Sequence, residues 1–216
     1  MAAIRTRAPP ARALPPITLL VATLLLGACA PAPPRVPALA VAIPWPQHLQ
    51  RLRSIVGFSL RGRIAANHGN EGFSAGLRWQ QHANAADLTL TGPLGFGTAL
   101  IELAGQQLKV TTGKGVRLDG AAAAAQLTAM LGFKPPLSSL RYWVLGESDP
   151  ASGAEHRLDG RQRLAHLQQD GWQIDYDEYT AVQPPSPAQP ALWLPRRLTV
   201  TRGDLRLKLV INAWQL

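Results

Sequence analysis

Leu205-Arg206-Leu207-Lys208-Leu209-Val210-Ile211 decides the fold. Leu205, Leu207, Leu209 and Ile211 fall on one side of a two-residue period, with Arg206 and Lys208 on the other. That is the pattern of a β-strand with one buried face and one wet face. Upstream, Arg202-Gly203-Asp204 supplies turn residues, and Arg197 to Thr201 reads as the partner strand of a hairpin. Before it lie Trp193 and a proline-rich loop, Pro184 to Pro190. Further back, Trp172, Ile174 and Tyr176 alternate with Gln173, Asp175 and Asp177, and Asp170-Gly171 is a hairpin turn. The strand before that turn is expected at Leu158 and Arg161 to Leu167.

The same period governs the first half. Phe58, Leu60 and Ile64 alternate with Ser59, Arg61 and Arg63, with Gly62 on the apolar side. Phe73, Ala75, Leu77 and Trp79 alternate with Ser74, Gly76, Arg78 and Gln80, and Asn67-His68-Gly69-Asn70 is turn chemistry between the two runs. Leu88 and Leu90 continue the pattern. Strands are then expected around Thr98 to Leu103, Gln107 to Thr112 and Gly115 to Leu118. A short helix is predicted over Gln47 to Ile55, where Leu49, Leu52 and Ile55 recur at three-residue steps. Between the two strand-rich halves the period becomes helical. Ala121 to Leu131 carries Leu127, Met130 and Leu131 on one side and stops at Gly132. Leu137 to Leu145, with Leu140, Tyr142, Trp143 and Val144, is apolar around most of its circumference and ends at Gly146. Such a helix is buried or covers an apolar opening.

Strands, then helices, then strands make an α+β fold. It is an antiparallel sheet with helices gathered on one face. About ten such strands curl strongly, which places the helices on the concave side.

The first residues have a separate logic. Arg5, Arg7 and Arg12 precede an apolar run, Ile17 to Leu26, too short to span a bilayer. Basic start, apolar core and small residues at a cut site make a secretory signal. It ends in Leu26-Gly27-Ala28-Cys29, and Cys29 is the single cysteine among 216 residues. Leu-Gly-Ala-Cys resembles the lipobox of bacterial lipoproteins, in which the thiol receives a diacylglycerol and the new amine is then N-acylated. An ordinary signal peptide with an incidental cysteine is the competing reading; spacing and uniqueness both count against it. Two or more acyl chains anchor stably where one does not. Ala30, rather than Asp, follows Cys29, which points to the outer membrane and its periplasmic face. Residues 1–28 are thus expected to be the signal and 29–46 the lipidated cysteine with its tether. Pro31, Pro33, Pro34, Pro37, Pro44 and Pro46 make that stretch an extended spacer, semi-rigid or disordered. Residues 47–216 form the folded domain.

The formal charge is +9, and the three arginines of the signal leave +6 for the rest. That balance favours anionic headgroups or simply solubility. Nucleic acid is not an expected partner of an exported, tethered domain. Catalytic chemistry is hard to find. His48, His68, His82, His156 and His166 are scattered; His68 and His82 could meet across the first hairpin as a metal pair, but exposed strand-end histidines are the preferred reading. Thr112-Gly113-Lys114-Gly115 lacks the Gly and Ser/Thr of a phosphate loop and is a turn. Asp175, Asp177 and Glu178 look like a solvated strand end. The expectation is a monomer that is no enzyme, with no metal and no cofactor beyond the acyl groups on Cys29.

Four segments resemble the LolB family, the outer-membrane lipoprotein receptors of the bacterial Lol pathway. They are Gly72 to Gln81, Ala86 to Gly95, Pro136 to Gly146 and Leu205 to Trp214, in that order along the chain. Pro136-Leu137-Ser138-Ser139-Leu140-Arg141-Tyr142-Trp143-Val144-Leu145-Gly146 is the most specific match. The chain departs in its higher Pro and Ala content, in the Pro184 to Pro190 loop and in the added Phe96-Gly97. The resemblance implies an incomplete β-barrel of about 10–11 antiparallel strands, closed by helices and holding an apolar cavity. It implies acceptance of acylated lipoproteins from the periplasmic carrier LolA and their release into the inner leaflet of the outer membrane. It ties release to the loop Gly92-Pro93-Leu94-Gly95-Phe96, with Leu94 meeting the phospholipid. An exposed Leu and Phe on a Gly/Pro turn offer a few kcal/mol of lipid affinity at most; alternatively Leu94 folds back to cap the sheet edge. Trp79, Leu88, Leu90, Leu140 and Trp143 are the candidate cavity residues, although a filled core uses the same spacing. The competing function is a structural or assembly outer-membrane lipoprotein that binds protein rather than lipid; a third is a small-ligand lipoprotein.

Overall fold

The computed structural model describes residues 43–69, 71–92, 97–186 and 188–216. The signal, Cys29, the tether up to residue 42 and the tip Pro93 to Phe96 lie outside the described residues.

The first helix, α1, spans Trp45–Arg53. It begins two residues before the predicted start, inside the stretch assigned to the tether. Pro46 sits in its first turn, where the missing N–H is no loss. Six strands follow: β1 (Gly57–His68), β2 (Glu71–His82), β3 (Ala85–Thr91), β4 (Thr98–Ala104), β5 (Gln107–Thr112) and β6 (Arg117–Asp119). Helices α2 (Gly120–Leu131) and α3 (Leu137–Trp143) come next. The chain then returns through β7 (Ala154–Leu158), β8 (Leu164–Gln169), β9 (Trp172–Val182), β10 (Leu192–Arg202) and β11 (Leu205–Gln215).

All eleven strands form one antiparallel sheet in the order β6-β5-β4-β3-β2-β1-β11-β10-β9-β8-β7. The chain therefore starts in the middle. It steps outward by hairpins to β6, crosses by the two helices to the opposite edge at β7, and steps back until β11 pairs with β1. Among the described residues no pairing joins β6 to β7, so the barrel is incomplete.

Ten inter-strand steps of about 4.8 Å would make a flat sheet nearly 50 Å wide. Yet inward residues from β5 (Val110) to β8 (Leu167) share one hydrophobic core with Leu52 of α1, Leu127 of α2 and Trp143 of α3. Only a strongly curved sheet can bring them together, and the helices occupy its concave side. The alternation of β11 is realised as read: Leu205, Leu207, Leu209 and Ile211 are buried, while Arg206 and Lys208 are exposed. The register of β1 and β11 shifts between Arg61 and Gly62. A Cβ on Gly62 would stand 2.3 Å from the Val210 carbonyl oxygen, so the close approach at this bulge requires glycine.

Several boundaries differ from the sequence expectation. The strand placed at Arg161 to Leu167 begins at Leu164, because Asp159 gathers the preceding residues into a turn. Its carboxylate accepts from the backbone N–H groups of Arg161 (2.8 Å) and Arg163 (3.0 Å), and from the Arg163 guanidinium at 2.6 Å. Strand β10 starts five residues before the expected Arg197, carrying Pro195 where β11 no longer pairs with it. The expected strand at Gly115 is shorter, since Gly115 N–H closes a turn on Thr112 O. His68 and His82 stand at opposite ends of the β1–β2 hairpin, opposite Glu71 and Gly57 respectively.

Two buried titratable groups oppose each other in their effect on stability. Glu147, 2% exposed, has its pKa pushed up to about 7 by burial; Arg53 Nε at 3.4 Å offsets part of this without hydrogen-bond geometry. His48 in α1, 2% exposed, is pushed down to about 4 by burial and by the nearby Arg51 and Arg163. A raised acid pKa removes stability as pH rises from about 4.5 to 7; a lowered histidine pKa adds it as pH rises from about 4 to 6.5. The two slopes oppose each other between about pH 4.5 and 6.5 in wild type. Glu147→Gln is expected to unmask the histidine, giving a urea midpoint that climbs between pH 4 and 6.5. It also removes a cost on the order of 2–3 kcal/mol at pH 8. Parallel profiles for wild type and variant would refute this.

Candidate functional site

The inward row Leu90, Ala99, Thr112 crosses β3, β4 and β5 in register. Opposite it stands α2, whose buried contacts are Ala123, Leu127 and Leu131. Near the loop end of these strands α2 presents only Gln126, Ala129 and Met130 toward the sheet, and they do not close the space. A cavity of about 570 Å³ results. This is within the roughly 300–1,000 Å³ typical of sites that enclose a small ligand. Its apolar wall is Phe73, Leu90, Ala99, Val116, Ala129 and Met130. Val116 is 50% exposed, one of the two most exposed large apolar side chains among the described residues. Met130, unbranched and polarizable, adapts to varied apolar shapes.

Polar groups are few. Gln126 and Lys114 reach the rim, and Thr112 Oγ1 is buried with no hydrogen-bond partner among the described residues. An unmet hydroxyl costs roughly 1–3 kcal/mol. Gly92 and Gly97 also line the cavity. Gly92 N–H donates to Gly97 O at 3.0 Å, pinching the root of the loop whose tip is Pro93 to Phe96. The loop is therefore rooted on the rim of the cavity.

Of the five cavity candidates from the sequence, Leu90 lines this opening. Trp79, Leu88 and Trp143 are buried in the core, and Leu140 is half-buried against it. Trp79 packs its ring 5.7 Å from Phe58, and Trp143 lies 6.1 Å from Trp172. Phe73, Ala99, Val116, Ala129 and Met130 escaped the sequence reading as cavity residues. Of the loop residues, Gly92 is at the site, while Pro93, Leu94, Gly95 and Phe96 lie outside the described residues, as does Cys29.

The Asp175, Asp177 and Glu178 region is a paired strand surface. Asp175 Oδ1 lies 2.7 Å from His166 Nδ1, and Glu178 Oε1 lies 2.6 Å from Arg197 Nη1.

The helix α3 is held by buried polar contacts. Trp143 Nε1 donates to Gln169 Oε1 at 2.9 Å, Ser139 Oγ to Asp149 Oδ2 at 2.9 Å, and Tyr176 Oη to the Trp143 carbonyl at 3.0 Å. Outside, Arg141 Nη1 donates to Asn84 Oδ1 at 3.0 Å and so ties α3 to the β2–β3 turn. The Pro136 to Gly146 segment thus plugs the concave side, beside α2.

Comparison with known proteins bears on this arrangement. Residues 57–214 match the family described as "Outer membrane lipoprotein LolB". The chain is 33% identical over 199 residues to an "Outer-membrane lipoprotein LolB" of Chromohalobacter salexigens, covering 91% of this chain and 88% of the relative. It is 34% identical over 170 residues to its namesake in Pseudomonas fluorescens, covering 79% and 80%. Among solved structures, a LolA superfamily protein from Nitrosomonas europaea overlaps 81% of this chain and 94% of its own at TM-score 0.49 and 11% identity, too distant to bear on function. With the family match spanning the whole sheet from β1 to β11, this chain belongs to the LolB family of outer-membrane lipoproteins.

Proposed function

We propose that this lipid-anchored domain faces the periplasm, accepts acylated lipoproteins from the carrier LolA, and inserts them into the inner leaflet of the outer membrane. The observation that carries the reading is the apolar cavity between α2 and β2–β5 with the Gly92–Gly97 loop rooted on its rim. Acyl chains held against Phe73, Leu90 and Met130 leave past that loop. The reading has no catalytic step. Transfer between apolar cavities needs only a difference in affinity, about 1.4 kcal/mol for a tenfold bias. Carrier, receptor and bilayer then form a series of increasingly favourable hosts for the same chains. Cys29, with its S-diacylglycerol and N-acyl groups, is the anchor, and residues up to 42 give the cavity its reach.

Filling the cavity is the direct test. Ala129 is exposed on α2 and lines the opening, so Ala129→Trp adds an indole without disturbing the core. Acceptance of cargo from the carrier, measured as pull-down of the acylated lipoprotein, is expected to fall at least tenfold with an unchanged melting temperature. That corresponds to losing about 1.4 kcal/mol of chain affinity. Unimpaired acceptance would place the acyl chains elsewhere and favour a receptor that grips the protein part of its cargo.

A further inference from the structure

The outward face of β1, β2 and β11 is strongly basic. Its positions on β1 are Ser59, Arg61, Arg63, Ala65 and Asn67; on β2 they include Ser74, Gly76, Arg78 and Gln80; on β11 they include Arg206 and Lys208. None of the five cations forms a salt bridge among the described residues, and no acid occupies an outward position on these three strands. Acids lie around its margin: Asp204, in the turn before β11, pairs with His68 at the end of β1. Asp87 and Glu102 are on β3 and β4, and Glu178 on β9 is paired to Arg197. Arg61 stands directly opposite Arg78. Like charges in that position destabilise a sheet, and among the described residues neither has an acidic partner within salt-bridge distance.

This face is not flat. A groove of about 560 Å³ runs over it, with Arg63 and Lys208 on one wall and Thr91 and Gly92 on the other. The registers Thr91–Gly76–Arg63 and Ser74–Ala65–Lys208 explain its form, since the middle positions of both rows are small. Two cations and two hydroxyls, those of Ser74 and Thr91, thereby surround one trough. That set suits a phosphate diester: the guanidinium offers a fork of donors, the ammonium a point charge. The groove ends at Gly92, where the loop begins.

We propose that this face docks on the phospholipid surface, with the Arg63–Lys208 groove receiving the phosphate of anionic headgroups. The proposal rests on the reading that the loop meets the bilayer, because it is the shared Gly92 that brings groove and membrane together. An acidic carrier protein is the less favoured occupant, since it must reach the cavity, which opens on the other side of the sheet.

The test uses the full chain with Cys29→Ala, so that no acyl anchor masks weak binding. Flotation is measured with phosphatidylcholine vesicles, with and without phosphatidylglycerol. Each basic residue near an anionic surface contributes about 1 kcal/mol, so Arg63→Ala with Lys208→Ala is expected to weaken binding to the phosphatidylglycerol vesicles about thirtyfold. Binding to pure phosphatidylcholine stays as it was. A control pair of equal charge, Arg157→Ala with Arg161→Ala, carries exposed residues of the β7–β8 edge. Far-UV circular dichroism confirms that both pairs fold. An unchanged preference for phosphatidylglycerol, or an equal loss in the control pair, would overturn the proposal. So would a variant that keeps the lipid preference but no longer cross-links to the carrier. Cargo acceptance by wild type is read separately: its failure would sink the transfer reading and leave the headgroup site standing.

Discussion

Leu94→Glu is expected to leave cargo acceptance from the carrier intact and to reduce delivery into vesicles by about two to three orders of magnitude. The size follows from what the tip must do. Moving Leu into an apolar phase is favourable by about half a kcal/mol, while a carboxylate costs about 3 kcal/mol, and each 1.4 kcal/mol is a factor of ten. The selectivity follows from the geometry. Gly92 and Gly97 are clamped by a 3.0 Å hydrogen bond at the rim, so a change at the tip is insulated from the Phe73–Leu90–Met130 wall. Loaded protein should accumulate, still carrying acyl chains, beside empty vesicles. The measurement is single-round transfer of labelled lipoprotein, with the carrier-to-receptor and receptor-to-vesicle steps followed separately. Delivery at the wild-type rate would exclude the loop from the release step and return Leu94 to the sheet edge as a cap.

The fold was easier to read than the cavity because strand parity is a local property and a void is not. Strand parity is local: Leu205 to Ile211 announces its buried side in seven residues, and the alternation stays in phase where that stretch pairs with Gly62 to His68 of β1. Whether an inward residue meets a neighbour or a void depends on what the opposite layer presents. Trp79 and Leu90 have the same parity and lie on adjacent strands. Trp79 is in a region filled by large rings, including Phe58, whereas Leu90 faces the stretch covered by the alanine-rich α2. Spacing alone is blind to that difference. The Asp159 turn was missed for a similar reason, because one carboxylate collecting the N–H groups of Arg161 and Arg163 overrides the β-propensity around it. Pro46 was misread as spacer because proline excludes a helix interior but not its first turn. The basic face escaped from the opposite direction. Arg61, Arg63, Arg78 and Lys208 are visible in the chain, but it takes the β1–β2 and β1–β11 registers to put them on one surface.

The largest expected effect on stability comes from Gln169, a residue that no functional reading selects. It is 1% exposed at the end of β8 and carries a full set of hydrogen bonds. Its Oε1 accepts from Trp143 Nε1 and from the Asp149 backbone N–H, both at 2.9 Å. Its Nε2 donates to the Asp149 carbonyl at 2.7 Å and to Ser152 O and Oγ at 3.0 and 2.9 Å. Gln169→Leu keeps the volume nearly constant, so no cavity contributes. It leaves an indole N–H and a backbone N–H without acceptors in a region closed to water, each costing roughly 1–3 kcal/mol. The expected loss is about 3–5 kcal/mol, a large share of the 5–15 kcal/mol available to a domain of this kind. A urea titration reads it as a lower midpoint with an unchanged slope. The same contacts hold Trp143 and the loop after it against the sheet, so loosening them frees the plug on the concave side. Trp143 fluorescence should shift to the red below the unfolding transition, as water enters beside the indole. A midpoint within about 1 kcal/mol of wild type would mean that the 147–152 loop re-pairs on its own. In that case α3 would owe its position to the burial of Trp143 rather than to the polar network around it.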